Sequence, residues 1–138
     1  FAPSFFTGSL ISRFGVLPVM LTGAVALIAC VGFTVSGIEL YQFWWGLVML
    51  GIGWNFLFIG GTSMLGQCHT PAEKAKVQGL NDFMVFSTVT VASFSAGAIF
   101  YYFGWIEANL SVLPLIAIVI VLLLWLMRHN RLVVATDN

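Results

Sequence analysis

Residues 110–127 read LSVLPLIAIVIVLLLWLM, and after Ser111 no polar side chain occurs until Arg128. At about 1.5 Å of rise per helical residue this run is about 27 Å long, close to the ~30 Å hydrocarbon thickness of a bilayer. A helix with no wet face has nothing to turn towards water, so it meets lipid over much of its circumference. Upstream lie three more runs of spanning length: 16–35, 42–65 and 80–103. A fifth, residues 1–11, is apolar but only about half a bilayer long. The sequence therefore predicts an all-α membrane protein, a polytopic transmembrane helix bundle with one truncated and four full spans. A half-span at the start marks the chain as the C-terminal piece of a larger protein, and the polar stretch Ala135–Asn138 reads as its natural end.

Composition agrees with that class. Hydrophobic residues make up 60% of the 138 and charged residues 7%, where a soluble domain carries about a quarter charged. A soluble fold of this size could not keep so much apolar surface from water. The formal charge is zero, so no global field attracts nucleic acid. Phe1 is preceded by no charged n-region and followed by no small-residue cleavage site, which excludes a signal peptide. Cys30 lies inside a span and Cys68 in a polar break, so a bridge between them is not expected.

The polar breaks between the runs alternate in charge. Arg13, then Lys74 and Lys76, then Arg128 and Arg131 occupy every second break, while Ser36–Tyr41 and Phe103–Ala108 carry only Glu39 and Glu107. Basic residues collect on the cytoplasmic side of membrane proteins, which predicts a cytoplasmic C-terminus. Phe43, Trp44, Trp45, Tyr101, Tyr102 and Trp105 cluster at the opposite boundary, where amphipathic rings suit the headgroup level. In the run 16–35, Gly23, Ala26, Cys30 and Thr34 form a narrow small-residue face for close helix contact. The third and fourth runs hold the glycines, hydroxyls and amides. They are expected to form the interior pair, because polar side chains in lipid turn towards other helices or a wet cavity.

The first break, Gly8-Ser9-Leu10-Ile11-Ser12-Arg13-Phe14-Gly15, resembles the loop signature Gly-x-Leu-x-Asp-Arg-x-Gly of the major facilitator superfamily. Gly8, Leu10, Arg13 and Gly15 match, and Ser12 stands where the family has aspartate. The runs Gly51–Thr62 and Pro71–Phe83 also resemble bacterial members of that superfamily, so the similarity covers nearly the whole chain. The resemblance implies a partial fold of that family, from the end of helix 8 through helix 12. In it helices 9 and 12 are peripheral, helices 8, 10 and 11 border the central cavity, and the membrane is the bacterial inner membrane. It implies a secondary active transporter that moves a small solute by alternating access, partnered by the lipid bilayer, the solute and the missing N-terminal helices. A non-transporting structural or assembly subunit would use the same small-residue faces only to pack.

Candidate pathway residues are Trp54, Asn55, Thr62, Thr88 and Ser95. Asn55 is the one amide in mid-membrane and needs partners, either a substrate or a neighbouring helix. Thr62 lies seven residues on, and Asn81, Thr88, Ser95 and Tyr102 recur every seven along the next run. Gly8, Arg13, Gly15 and Asp82 are assigned to cytoplasmic closure. Asp82 reads in three ways: an acid in the first turn of its helix, favoured by the exposed amides there, a proton carrier, or a gate contact for Arg13. Glu73, Lys74 and Lys76 read as a solvated loop, with Pro71 opening a short surface helix. No enzyme activity, cofactor or metal is expected. Gly51-Ile52-Gly53 lacks a third glycine at Phe56, and Cys68-His69 is an isolated pair with His129 far away in sequence.

Overall fold

The computed structural model describes residues 4–37, 39–66 and 73–136, with side chains from Phe5 to His129 within those stretches. Every regular element among them is an α-helix: α1 (Ser4–Phe14), α2 (Val16–Ser36), α3 (Leu40–Gly66), α4 (Lys74–Phe103), α5 (Trp105–Leu110) and α6 (Leu113–Thr136). Four stretches are long and apolar enough to span a bilayer: α2, α3, α4 and Trp105–His129. The expected all-helical bundle is what the chain forms. Cys68, His69 and Pro71 lie outside the described residues.

The joints are short and depend on glycine. Gly15 alone separates α1 from α2, at φ 88° and ψ 161°, and Gly104 alone separates α4 from α5, at φ 95° and ψ −177°. That corner of backbone space is essentially closed to residues with a Cβ. The α1–α2 joint is tighter than the predicted break. Gly8 lies inside α1, not in a turn, and a Cβ there would meet nothing within 4 Å. The helix continues past it because nothing before Gly15 breaks it: the Ser12 hydroxyl donates back to Ser9 O at 2.9 Å, and Gly15 N–H still donates to Ile11 O.

Two further boundaries differ from expectation. α4 begins at Lys74 rather than at residue 80, and α6 runs to Thr136 rather than 127. Hydropathy marks where hydrocarbon ends, whereas Lys, Ala, Gln and Arg are good helix formers that let a helix continue into water. At 30 residues, α4 is about 45 Å long and must project beyond the hydrocarbon. Pro114 is the second residue of α6, where a missing N–H removes no helical hydrogen bond.

The tightest packing joins α2 to α3, through a glycine row on α3. Gly46, Gly53 and Gly60 are buried and lie seven residues apart. A Cβ on Gly46 would meet Thr34 Cγ2 at 2.9 Å, one on Gly53 would meet Leu27 Cδ2 at 2.6 Å, and one on Gly60 would strike the Met20 side chain. As the α3 positions rise by seven, their α2 partners fall by seven, so the helices run antiparallel in a heptad register. At the middle the backbones nearly touch: a Cβ on Gly53 would lie 2.9 Å from Gly23 O, and one on Gly23 would lie 3.1 Å from Gly53 O. Glycine permits that approach, and the dispersion attraction between the two backbones replaces the hydrophobic drive that lipid removes. α2 also packs against α1, α5 and α6, which makes it the centre of the assembly.

Within the described residues the third and fourth spans touch only lightly. α3 packs on α2, while α4 buries none of its residues and meets α3 only weakly. The α4 hydroxyls bond within their own helix. Thr88 donates to Met84 O, Thr90 to Phe86 O, Ser93 to Val89 O and Ser95 to Val91 O, all at 2.8–2.9 Å. A hydroxyl satisfied by the carbonyl four residues back no longer requires a neighbouring helix.

Candidate solute pathway

Trp105 fixes which helix ends lie together. Its indole N–H donates to Thr34 O at 2.9 Å, and its ring lies 6.5 Å from Phe43 and 6.1 Å, edge-on, from Phe100. The end of α2, the start of α3 and the end of α4 therefore converge on the start of α5. Asn109 of α5 adds a side-chain contact, with its Oδ1 3.0 Å from the Thr34 hydroxyl. Glu39 and Glu107 share this end with exposed Tyr41, Trp44, Tyr101 and Tyr102. At the start of α3, Gln42 Oε1 accepts from the Glu39 backbone N–H at 3.2 Å, half of a capping box. Arg13, Lys74, Lys76 and Arg128 fall at the opposite end, all exposed. The charge alternation in the sequence is thus a real separation in space.

Between these ends, the residues assigned to a pathway divide into separate groups. Asn55 is engaged by α1: the Thr7 hydroxyl, fully buried, donates to Asn55 Oδ1 at 2.7 Å across 48 residues of sequence. The interhelical reading of Asn55 is therefore realised. Thr62 turns its hydroxyl onto its own helix, at 3.0 Å from both Phe58 O and Ile59 O. Trp54 is 50% exposed and stacks on Phe58, with centroids 6.0 Å apart and planes 13° from parallel.

Two grooves run along α4. One, of about 320 Å³, lies between α3 and α4 and is lined by Trp54, Asn81, Met84, Val85, Thr88 and Val89. The other, of about 630 Å³, lies between α4 and the α5–α6 arm, and Ser87, Thr88, Ser95 and Ser111 contribute its hydroxyls. Thr88 lines both, Trp54 only the first and Ser95 only the second. Asn55 and Thr62 line neither groove.

The closure residues are not joined either. Arg13 lies over the ring of Phe14, 5.5 Å from its centroid. Asp82 accepts from Gln78 Nε2 at 3.0 Å and Asn81 Nδ2 at 3.3 Å, both on its own helix, and no ion pair links it to Arg13 among the described residues. Because α4 starts at Lys74, Asp82 lies in the third turn, about 12 Å along the axis. The exposed amides of a helix start do not explain it. Glu73, Lys74 and Lys76 are exposed, but the lysines belong to the first turn of α4, not to a loop.

Sequence reasoning missed Thr7, Asn109 and the glycine row. The first two act through partners 48 and 75 residues away, which leave no local signal. The third was open to view as a seven-residue glycine repeat.

Apolar spans joined by short turns, with charge sorted by side and largely apolar grooves that carry a few hydroxyls and one amide, define an integral membrane protein. The Major Facilitator Superfamily model matches residues 2–136, and the chain belongs to that family. It is 49% identical over 121 residues to the riboflavin transporter RfnT of Brucella anthropi, a match covering 88% of this chain and 30% of that protein. It is 25% identical over 131 residues to the uncharacterized MFS-type transporter YddS of Bacillus subtilis, covering 94% of this chain and 30% of that protein. The chain thus spans about a third of the length of the curated relatives it matches. No solved structure matches it.

Proposed function

We propose that this chain is the C-terminal part of a secondary active transporter that carries riboflavin, or a close flavin, across the bacterial inner membrane by alternating access. The observation that carries the reading is the 49% identity with a riboflavin transporter over 88% of the chain. The architecture supports it, since largely apolar grooves with a few hydroxyls and an amide, flanked by spans, suit the path of an uncharged ring between rocking halves. The end bearing Arg13, Lys74, Lys76 and Arg128 is cytoplasmic in this reading, and the glutamate and aromatic end faces outward. The solute path follows α4 past Trp54, Thr88 and Ser95, while Asn55 ties α1 to α3 beside it and Thr62 stays bonded to its own helix. Gly8, Arg13, Gly15 and Asp82 serve the cytoplasmic closure. The unburied sides of α4 meet the remaining helices of the transporter.

The test is uptake of labelled riboflavin by cells that lack their own route and express the full-length protein containing this chain. Saturable uptake, competed by unlabelled flavin, is expected. A correctly inserted protein that takes up no flavin would refute the reading and favour a subunit that only packs.

A further inference from the structure

The groove between α3 and α4 combines features that the transport reading does not require. Its floor is a flat, uncharged ring: Trp54 lies nearly parallel to Phe58 and leaves half of its own surface uncovered. Its walls are Met84, Val85 and Val89, and its polar groups are Asn81 and Thr88. Asp82 is engaged by Gln78 and Asn81, so the Asn81 amide supplies one hydrogen to its neighbour. The Thr88 proton is committed to Met84 O, which leaves its oxygen as an acceptor. Asn81 Oδ1 is a second acceptor with no partner among the described residues.

We infer that this groove is the ring-binding subsite of the transporter. It takes a planar heteroaromatic system stacked on Trp54, whose ring N–H donates to Asn81 Oδ1. The inference rests on the flavin reading and adds the place and mode of recognition. Stacking between a tryptophan and an extended ring is favoured by offset geometry and contributes about 0.5–1.5 kcal/mol beyond area burial. The groove volume, about 320 Å³, lies at the small end of the usual range for ligand sites and suits a flat ring better than a ring with its polyol tail. The tail must then extend beyond the groove. A site that recognises the ring alone should accept flavin rings lacking the sugar-alcohol chain and ignore the chain alone.

The experiment uses the full-length protein, purified in detergent or lipid, and riboflavin itself as the probe. An indole stacked on a flavin quenches its fluorescence by electron transfer, whereas a phenyl ring does so poorly. Wild type should quench bound riboflavin, and lumichrome, which keeps the three rings without the ribityl chain, should compete while ribitol does not. Trp54→Phe should retain binding within about threefold and lose most of the quenching. Trp54→Ala should weaken binding at least tenfold at unchanged membrane level. Riboflavin bound by Trp54→Phe with wild-type quenching would overturn the stacking site and leave the transport reading intact. Absence of flavin binding and uptake by the wild type would instead overturn the transport reading and the subsite with it. Should Trp54→Ala fail to insert, the Trp54→Phe quenching measurement decides alone.

Discussion

The α2–α3 pair and α4 are built from similarly small residues, yet they behave in opposite ways. On α3 three glycines seven apart, Gly46, Gly53 and Gly60, are buried, and α2 lies against them. On α4 they are Ser, Thr, Ala and Gly, and none is buried. Glycine exposes backbone and removes bulk, so dispersion draws a neighbouring helix in against it. Serine and threonine carry a hydroxyl that bends back to the preceding turn, so the group is satisfied without fixing which neighbour the helix takes. Small residues in a membrane helix thus have two uses. Glycine in register makes a fixed joint, whereas hydroxyls folded on their own helix leave a face that other groups can use and leave again.

The sharpest way to break that contrast is at Gly53. Gly53→Leu should abolish the antiparallel pair, because even a Cβ would lie 2.6 Å from Leu27 and 2.9 Å from the Gly23 carbonyl. Overpacking of this kind costs about 1–3 kcal/mol, and more where backbone is the obstacle. Thermal unfolding in detergent should show a marked loss for Gly53→Leu and no loss for Gly51→Ala, where a Cβ meets nothing within 4 Å. Equal behaviour of the two variants would remove the idea of a glycine joint.

A smaller effect is expected where α1 is tied in. Thr7→Val removes the hydroxyl donated to Asn55 but keeps the shape, and polar contacts between membrane helices average about 0.6 kcal/mol. Stability should fall by about that amount, and Thr7→Ser should recover it. A loss of several kcal/mol would mean that Asn55 depends on Thr7 far more than one such contact explains. The smallest effect belongs to α4. Ser93→Ala and Ser95→Ala should each leave stability within about 0.5 kcal/mol, since each hydroxyl bonds only its own helix. A larger change would place these hydroxyls in a packing seam after all.

The four spans, their order and the sorting of charge were legible because the bilayer imposes length and polarity on any chain that crosses it. Gly23, Ala26, Cys30 and Thr34 form the contact face expected from sequence, and Gly23 and Thr34 are among the positions that the α3 glycines lie against, with Leu27 and Met20 beside them. Helix partnership was less legible. Counting hydroxyls as polar placed α4 beside α3, although Thr88 and Ser95 satisfy themselves within α4. Of the three readings of Asp82, the first-turn acid fails because apolar runs mark the hydrocarbon, not the helix, and Lys74–Gly79 adds further turns in water. Thr7 could not be paired with Asn55 from sequence, since no period links positions on different helices.

Trp105 also has a mechanical consequence. One indole grips the Thr34 carbonyl while its faces and edge touch Phe43 and Phe100, so three strangers in the chain share a single rivet. A rim stitched in that manner cannot fray one rod at a time. Removing the indole should therefore loosen three helix ends together rather than one.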